Sequence, residues 1–262
     1  MRFTFSICLL ILLFSCKKEK IGNVQIYGHA GMGLSMQNSI YHDNSFEAVQ
    51  LCLAMPNSNG VEVDVQMDKE GNLWLFHDQF LDAESSLGGC VNEKCSSELG
   101  SGTYKTLKKE KIAQLSQIIN EVGSGQKLFL DIKNANTCTN SIVEINLFRE
   151  SLNNLIDSVN PNIYLILNDV NWLSQLSNQF QVLFSSDDLV LADEVINQNA
   201  EVKGLVVRNK TIDKNKVNEL KNQGKEVYLF DIRSPKGNRE AMLKEPNGII
   251  TDDIRAALIE RN

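Results

Sequence analysis

The chain has 262 residues and a net charge of −7 at neutral pH, with 42% hydrophobic and 23% charged residues. Such a composition supports an ordinary globular core, and the length suits one α/β barrel as well as two small domains. No basic block offsets the acidic balance, which argues against a nucleic-acid partner.

Residues 1–16 form a separate object. After Arg2, an apolar run covers residues 3–14 and is broken only by Thr4 and Ser6. It is shorter than the about 20 apolar residues that span a bilayer, but long enough for a signal-peptide core. The run ends in Leu13-Phe14-Ser15-Cys16 and is followed at once by Lys17-Lys18-Glu19-Lys20, which resembles a bacterial lipobox. The expectation is a lipoprotein signal peptide over 1–16, a lipidated Cys16 and a short tether over 17–23. The protein would then be exported and held on a membrane of a bacterial cell envelope, each buried acyl CH₂ contributing about 0.8 kcal/mol.

From residue 24 onward, short apolar runs alternate with amphipathic ones. The first predicted strand, 24–30, ends in Gly28-His29-Ala30-Gly31, and a helix follows over 45–55, in which Cys52 reads as a core residue. The second strand, 60–67, has period two. Val61, Val63 and Val65 face packed helices, while Glu62, Asp64 and Gln66 point the other way, into the barrel. An extra strand over 72–78 ends on His77. The segment 79–110 is then polar, rich in Gly, Ser and Lys, and reads as a small insertion over the barrel mouth. It holds Cys90 and Cys95, close enough in sequence to form a small-loop disulfide in an oxidising compartment.

The remaining strands are 127–133, 162–169, 181–185, 203–209, 226–232 and 248–251. The remaining helices are 111–122, 142–159, 171–178, 189–198, 214–222, 239–243 and 255–260. Eight strands alternating with eight helices across 24–262 point to parallel βαβ units closed into a (β/α)8 TIM barrel. A doubly wound sheet is the competitor, but no Gly-rich phosphate fingerprint follows the first strand.

Two ionised carboxylates inside a barrel cost several kcal/mol each unless they are paired or bind a metal. Glu62 and Asp64 are joined by Asp131, near the C-terminal end of the third barrel strand, where barrel enzymes keep their sites. Three carboxylates from neighbouring strands make an oxygen site suited to Mg²⁺ or Ca²⁺. Lys133, on the same face as Asp131, could bind a phosphate as a point charge. His29 and His77 end their strands at the same rim, and histidine can accept and return a proton near neutral pH. Two imidazoles flanking a cation suit an in-line displacement at phosphorus. His42, the third histidine, reads as a loop residue.

Taken together, Gly28-His29-x-Gly31, Asp43-Asn44-Ser45-Phe46-Glu47-Ala48, Glu62-x-Asp64-Val65-Gln66, Phe76-His77-Asp78, Leu130-Asp131-Ile132-Lys133 and Gly248-Ile-Ile-Thr-Asp252 resemble the glycerophosphodiester phosphodiesterases. The resemblance implies a barrel fold and hydrolysis of glycerophosphodiesters to glycerol 3-phosphate and an alcohol. It further implies metal ligation by Glu62, Asp64 and Asp131, acid/base catalysis by His29 and His77, and Lys133 near the phosphate. Three departures stand out. Ala30 replaces the family's arginine, which leaves phosphate neutralisation to the cation, Lys133 and Arg208 or Arg233; Asp43 and Asp131 each replace a glutamate. Asp131 and the cysteine-bearing insertion also resemble the sphingomyelinase D-type phospholipases, which makes a lysophospholipase D-like activity the alternative. A non-catalytic, phosphodiester-binding lipoprotein is the reading of a different class, motivated by Ala30.

Overall fold

A computed structural model describes residues 21–32, 40–156 and 162–261. The signal peptide expected over 1–16 with its lipobox Cys16, and most of the tether expected over 17–23, lie outside these residues, as does the end of the helix expected over 142–159. No described helix is long and apolar enough to cross a membrane.

Eight parallel strands close on themselves. In chain order the strands are β1 (Gln25–Gly28), β2 (Gly60–Met67), β3 (Leu73–Leu75), β4 (Lys127–Ile132), β5 (Ala135–Asn136), β6 (Ser141–Ile142), β7 (Ile163–Leu167), β8 (Gln181–Ser185), β9 (Gly204–Arg208), β10 (Glu226–Ile232) and β11 (Gly248–Thr251). The barrel runs β1-β2-β4-β7-β8-β9-β10-β11, with β1 pairing β11 through four residues and reaching β2 at Gly28↔Val61. This is a (β/α)8 TIM barrel. β3 lies antiparallel on β2, and β5 and β6 form a small hairpin at the end of β4.

Around the barrel lie α1 (Phe46–Leu53), α2 (Ser96–Ser101), α3 (Leu115–Ile119), α4 (Ile145–Leu155), α5 (Val170–Leu176), α6 (Leu189–Gln198), α7 (Lys214–Asn222), α8 (Pro235–Met242) and α9 (Ile254–Arg261). Side-chain oxygens cap several N-termini, among them Ser45 on α1, Asp188 on α6 and Ser234 on α8, satisfying otherwise orphaned backbone N–H groups. Ser234 is followed by Pro235 at the first helical turn, so α8 starts ahead of the expected residue 239. The helix expected over 111–122 shrinks to α3, because Lys111, Ile112 and Gln114 pair as extended backbone with Thr103, Ser45 and Trp74.

The core has three parts. Val61, Val63 and Val65 pack outward with the helices in the largest. Tyr27, Phe129, Tyr164 and Tyr228 plug the barrel interior, their rings meeting mostly edge to face. Trp74, Phe76, Leu81, Val91, Leu99 and Tyr104 form a satellite cluster under the excursion over 79–110.

That excursion is tied down differently from the expectation. Cys90 bonds to Cys138, in the turn between β5 and β6, and not to Cys95. Cys90 is buried in the excursion, whereas the Cys95 side chain turns outward at the start of α2, where it meets Ser97 and Glu98. The bridge closes a separation of 48 residues, so by loop entropy it can contribute about 4 kcal/mol. Cys52 lies in the core.

Candidate active site

His29 leaves β1 in a tight turn. Ala30 (φ 49°) and Gly31 (φ 96°) are both left-handed, and a Cβ on Gly31 would press on the Ala48 backbone at 2.9 Å. The turn is fastened from β2: the Ala30 N–H donates to Glu62 Oε2 at 2.9 Å, and the Gly31 N–H to the Glu62 carbonyl at 3.3 Å. His29 Nδ1 donates to Asp252 Oδ1 at 2.5 Å, which aims Nε2 back at the site, 3.8 Å from Glu62 Oε2.

Period two on β2 puts Glu62 and Asp64 on the inner face, 3% and 1% exposed. Asp131 lies directly beside Asp64 in the β2–β4 register. One oxygen from each of Glu62, Asp64 and Asp131 lies within 4.8 Å of the others. Asn44, itself left-handed and buried, holds Asp64 from two sides: its Nδ2 donates to Asp64 Oδ2 at 2.8 Å, and its Oδ1 accepts from the Asp64 N–H at 2.9 Å.

Lys133 reaches into the same cluster, with Nζ 2.6 Å from Asp131 and 2.9 Å from Asp64. The charges follow from this packing. Burial, then the neighbouring charge of Asp64, pushes Glu62 up to about 8. Burial also raises Asp131 against the pull of Lys133, whereas for Asp64 burial is outweighed by Lys133 and its carboxyl ends lower than usual. Burial pulls Lys133 down, but Asp64 and Asp131 more than reverse it. Burial likewise opposes charge on His29, yet the bond to Asp252 and the charge of Glu62 lift it to about 9. These carboxylates are thus crowded beyond what one ammonium neutralises. A hard divalent cation fits that donor set of two deeply buried carboxylates and one partly open one.

His77 follows β3. Gln66 on β2 fixes the chain on both sides of it, donating from Nε2 to the Phe76 carbonyl at 2.9 Å and the Asp78 carbonyl at 2.8 Å. Its ring is 45% exposed and donates from Nδ1 to Asp78 at 2.9 Å. His29, His77, the three carboxylates and Lys133 all line one cavity of about 340 Å³ at the C-terminal mouth of the barrel. A profile of the glycerophosphoryl diester phosphodiesterase family matches residues 29–256, spanning every one of these side chains.

The chain belongs to the glycerophosphoryl diester phosphodiesterase family. Solved structures of similar fold include a glycerophosphodiester phosphodiesterase from Agrobacterium tumefaciens, 15% identical, with a TM-score of 0.73 over 90% of this chain and 99% of that one. A glycerophosphodiester phosphodiesterase from Thermotoga maritima is 19% identical, with a TM-score of 0.71 over 91% of this chain and 97% of that one. An Oleispira antarctica phosphodiesterase, solved with its product sn-glycerol-3-phosphate, is 17% identical, with a TM-score of 0.73 over 90% of this chain and 96% of that one. Comparison with curated proteins finds no match.

In this phosphodiesterase the structure gathers His29, His77, Glu62, Asp64, Asp131 and Lys133, while Cys16 lies outside the described residues. Asp43 stays apart from the carboxylate cluster and pairs with His42 at 2.7 Å. His42 in turn stacks on Tyr104, with ring centroids 3.9 Å apart. Sequence reasoning missed Asp252, Asn44 and Gln66 as site builders. All three stood in the matching motifs, but their partners lie 223, 20 and 10 to 12 positions away.

Proposed function

We propose that this phosphodiesterase hydrolyses glycerophosphodiesters to glycerol 3-phosphate and an alcohol, with Glu62, Asp64 and Asp131 holding Mg²⁺ or Ca²⁺ and His29 and His77 as the acid/base pair. The observation that carries the reading is the convergence of the three carboxylates within 4.8 Å in a pocket that both imidazoles line. The product-bound Oleispira antarctica phosphodiesterase of the same fold supports the substrate class. When bound, such a cation supplies Lewis-acid polarisation of a phosphoryl oxygen.

The residues of the chain do the rest. Asp252 fixes the ring of His29 and Asp78 that of His77, so each imidazole turns its Nε2 away from its carboxylate partner. Water attacks phosphorus, and one imidazole accepts its proton while the other donates a proton to the departing alkoxide, so the enzyme returns to its starting charge. Lys133, 2.6 Å from Asp131 and 2.9 Å from Asp64, would be freed by a cation held there to place its ammonium near the phosphate.

The test is an enzyme-coupled assay for glycerol 3-phosphate over a panel of glycerophosphodiesters, with Mg²⁺ or Ca²⁺ present. Release that stops on chelation is expected; no release from any member overturns the reading. The lysophospholipase D-like alternative retains Asp131 and the disulfide-tied excursion in its favour, and headgroup release from sphingomyelin or lysophospholipid separates it. The leader supports a further proposal, that Cys16 carries lipid and anchors the protein to an envelope membrane. Labelled palmitate should then enter the native chain and be absent from Cys16→Ser.

A further inference from the structure

The cavity is lined by five carboxylates (Glu62, Asp64, Asp131, Asp231 and Asp252) and three permanently charged bases, Lys133, Arg208 and Arg233. An anionic phosphodiester entering this field needs a cationic donor that is not already committed. The residue after His29 offers none, since Ala30 is apolar and buried and spends its N–H on Glu62. Lys133 is held by Asp64 and Asp131, and when a cation relieves it of them its ammonium is a point charge that cannot grip two phosphate oxygens in a plane. Arg208 is held twice, Nε to Asp187 at 2.8 Å and Nη1 to Asp231 at 3.1 Å, with its guanidinium 5.1 Å over the Phe230 ring.

Arg233 differs. Only its Nε is engaged, 3.0 Å from Asp231 and 3.7 Å from Asp252, and among the described residues neither Nη group has a partner. Its place is built into the fold. The β10–β11 register slips between Leu229 and Ile232, so β10 carries one extra residue there, and Asp231 is left-handed (φ 59°). Such bulges re-aim side chains beside active sites. Past the bulge, the Ile232 carbonyl accepts from the Asp252 N–H at 3.0 Å and Thr251 Oγ1 at 3.2 Å, and the Ser234 cap of α8 begins one residue after Arg233. The backbone of Arg233 is therefore pinned on both sides while its guanidinium stays open to the pocket. Through Asp252 it lies one carboxylate away from His29.

Resting on the phosphodiesterase reading above, we propose that Arg233 is the phosphate-binding arginine of this site, taking the non-bridging oxygens through its two Nη groups. Arg208 and Asp231 are positioning residues that hold Arg233 at the mouth. A planar guanidinium matches two phosphate oxygens at once, which a lysine cannot do.

The test uses the full mature protein with Mg²⁺ present and inorganic phosphate as the probe, read both by calorimetry and as competitive inhibition of turnover. Arg233→Ala should weaken phosphate binding and raise KM about ten- to hundredfold, the range expected for lost hydrogen bonds to a charged group. Arg233→Lys should recover part of that loss, and Arg208→Ala should cost less than Arg233→Ala. Thermal melts of each variant confirm folding, and Arg233 is 66% exposed, so its removal leaves the core intact. Phosphate affinity and KM within about twofold of wild type in Arg233→Ala, or a larger loss in Arg208→Ala, would overturn the assignment. Phosphate binding that depends on Arg233 in a protein releasing no glycerol 3-phosphate would sink the activity and leave this assignment standing. The reverse pattern would do the opposite.

Discussion

His29 and His77 line the same pocket but are held by different kinds of structure. His29 sits on the barrel itself: its ring is 18% exposed, its backbone turn is fastened to Glu62, and Asp252, just past the end of β11, locks its Nδ1. His77 is 45% exposed, follows the short antiparallel β3 and leads straight into the excursion. Its support is Gln66 beneath it and, at longer range, the Cys90–Cys138 bond that ties the excursion to the β5–β6 hairpin. One imidazole is preorganised by strand register, the other by a loop and a covalent staple. The lesson is that a barrel rim can hold one imidazole of a pocket rigidly and delegate the other to an insertion.

The comparison assumes that both halves serve the same carboxylates. Removing the cation by chelation, or substituting Glu62→Gln, should therefore have the largest effect, about 10³-fold or more in kcat, the scale of several kcal/mol of lost charge stabilisation. Next come His29→Ala and His77→Ala, each expected to lower kcat by about 10²–10⁴-fold in the same assay. Equal losses would sharpen the comparison, because they would show that exposure does not lessen the duty of His77. A His77→Ala loss under about tenfold would break the pair.

The supports should follow in size. Asp252→Asn and Asn44→Ala are expected to cost about 10- to 100-fold, as residues that orient the imidazole and the carboxylate ligand typically do. Smallest in kcat is Cys138→Ser, because Gln66 still holds His77 directly. That variant should lose up to about 4 kcal/mol of stability by denaturant unfolding while keeping its activity within about tenfold at a temperature where it is folded. A larger activity loss in Cys138→Ser than in Asp252→Asn would invert the ranking of the two regions.

Much of this was legible in the sequence because it depends on local periods. Alternation of strand and helix patterns gives the barrel, and period two on β2 turns Glu62 and Asp64 inward whatever surrounds them. The family motifs added the pairing of those carboxylates with His29 and His77. What escaped depends on distant partners. Cys90 chose Cys138 across 48 residues in preference to Cys95 nearby, a choice set by how the excursion packs and not by spacing. Asp252 looks like any strand-end carboxylate until β1 and β11 are paired. The bulge that aims Arg233 is a slip in register between β10 and β11, and the sequence of β10 taken alone carries no mark of it. The segment 111–114 has helical apolar spacing, yet its backbone pairs with Ser45, Trp74 and Thr103.

The most direct measurement is anomalous diffraction from crystals soaked in Mn²⁺, a stand-in for the hard cation. A single strong peak bound by Glu62, Asp64 and Asp131 is expected, with the Lys133 ammonium moved off Asp64 and Asp131. Lys133 still bridging those two carboxylates, with no Mn²⁺ between them at saturating metal, would contradict it.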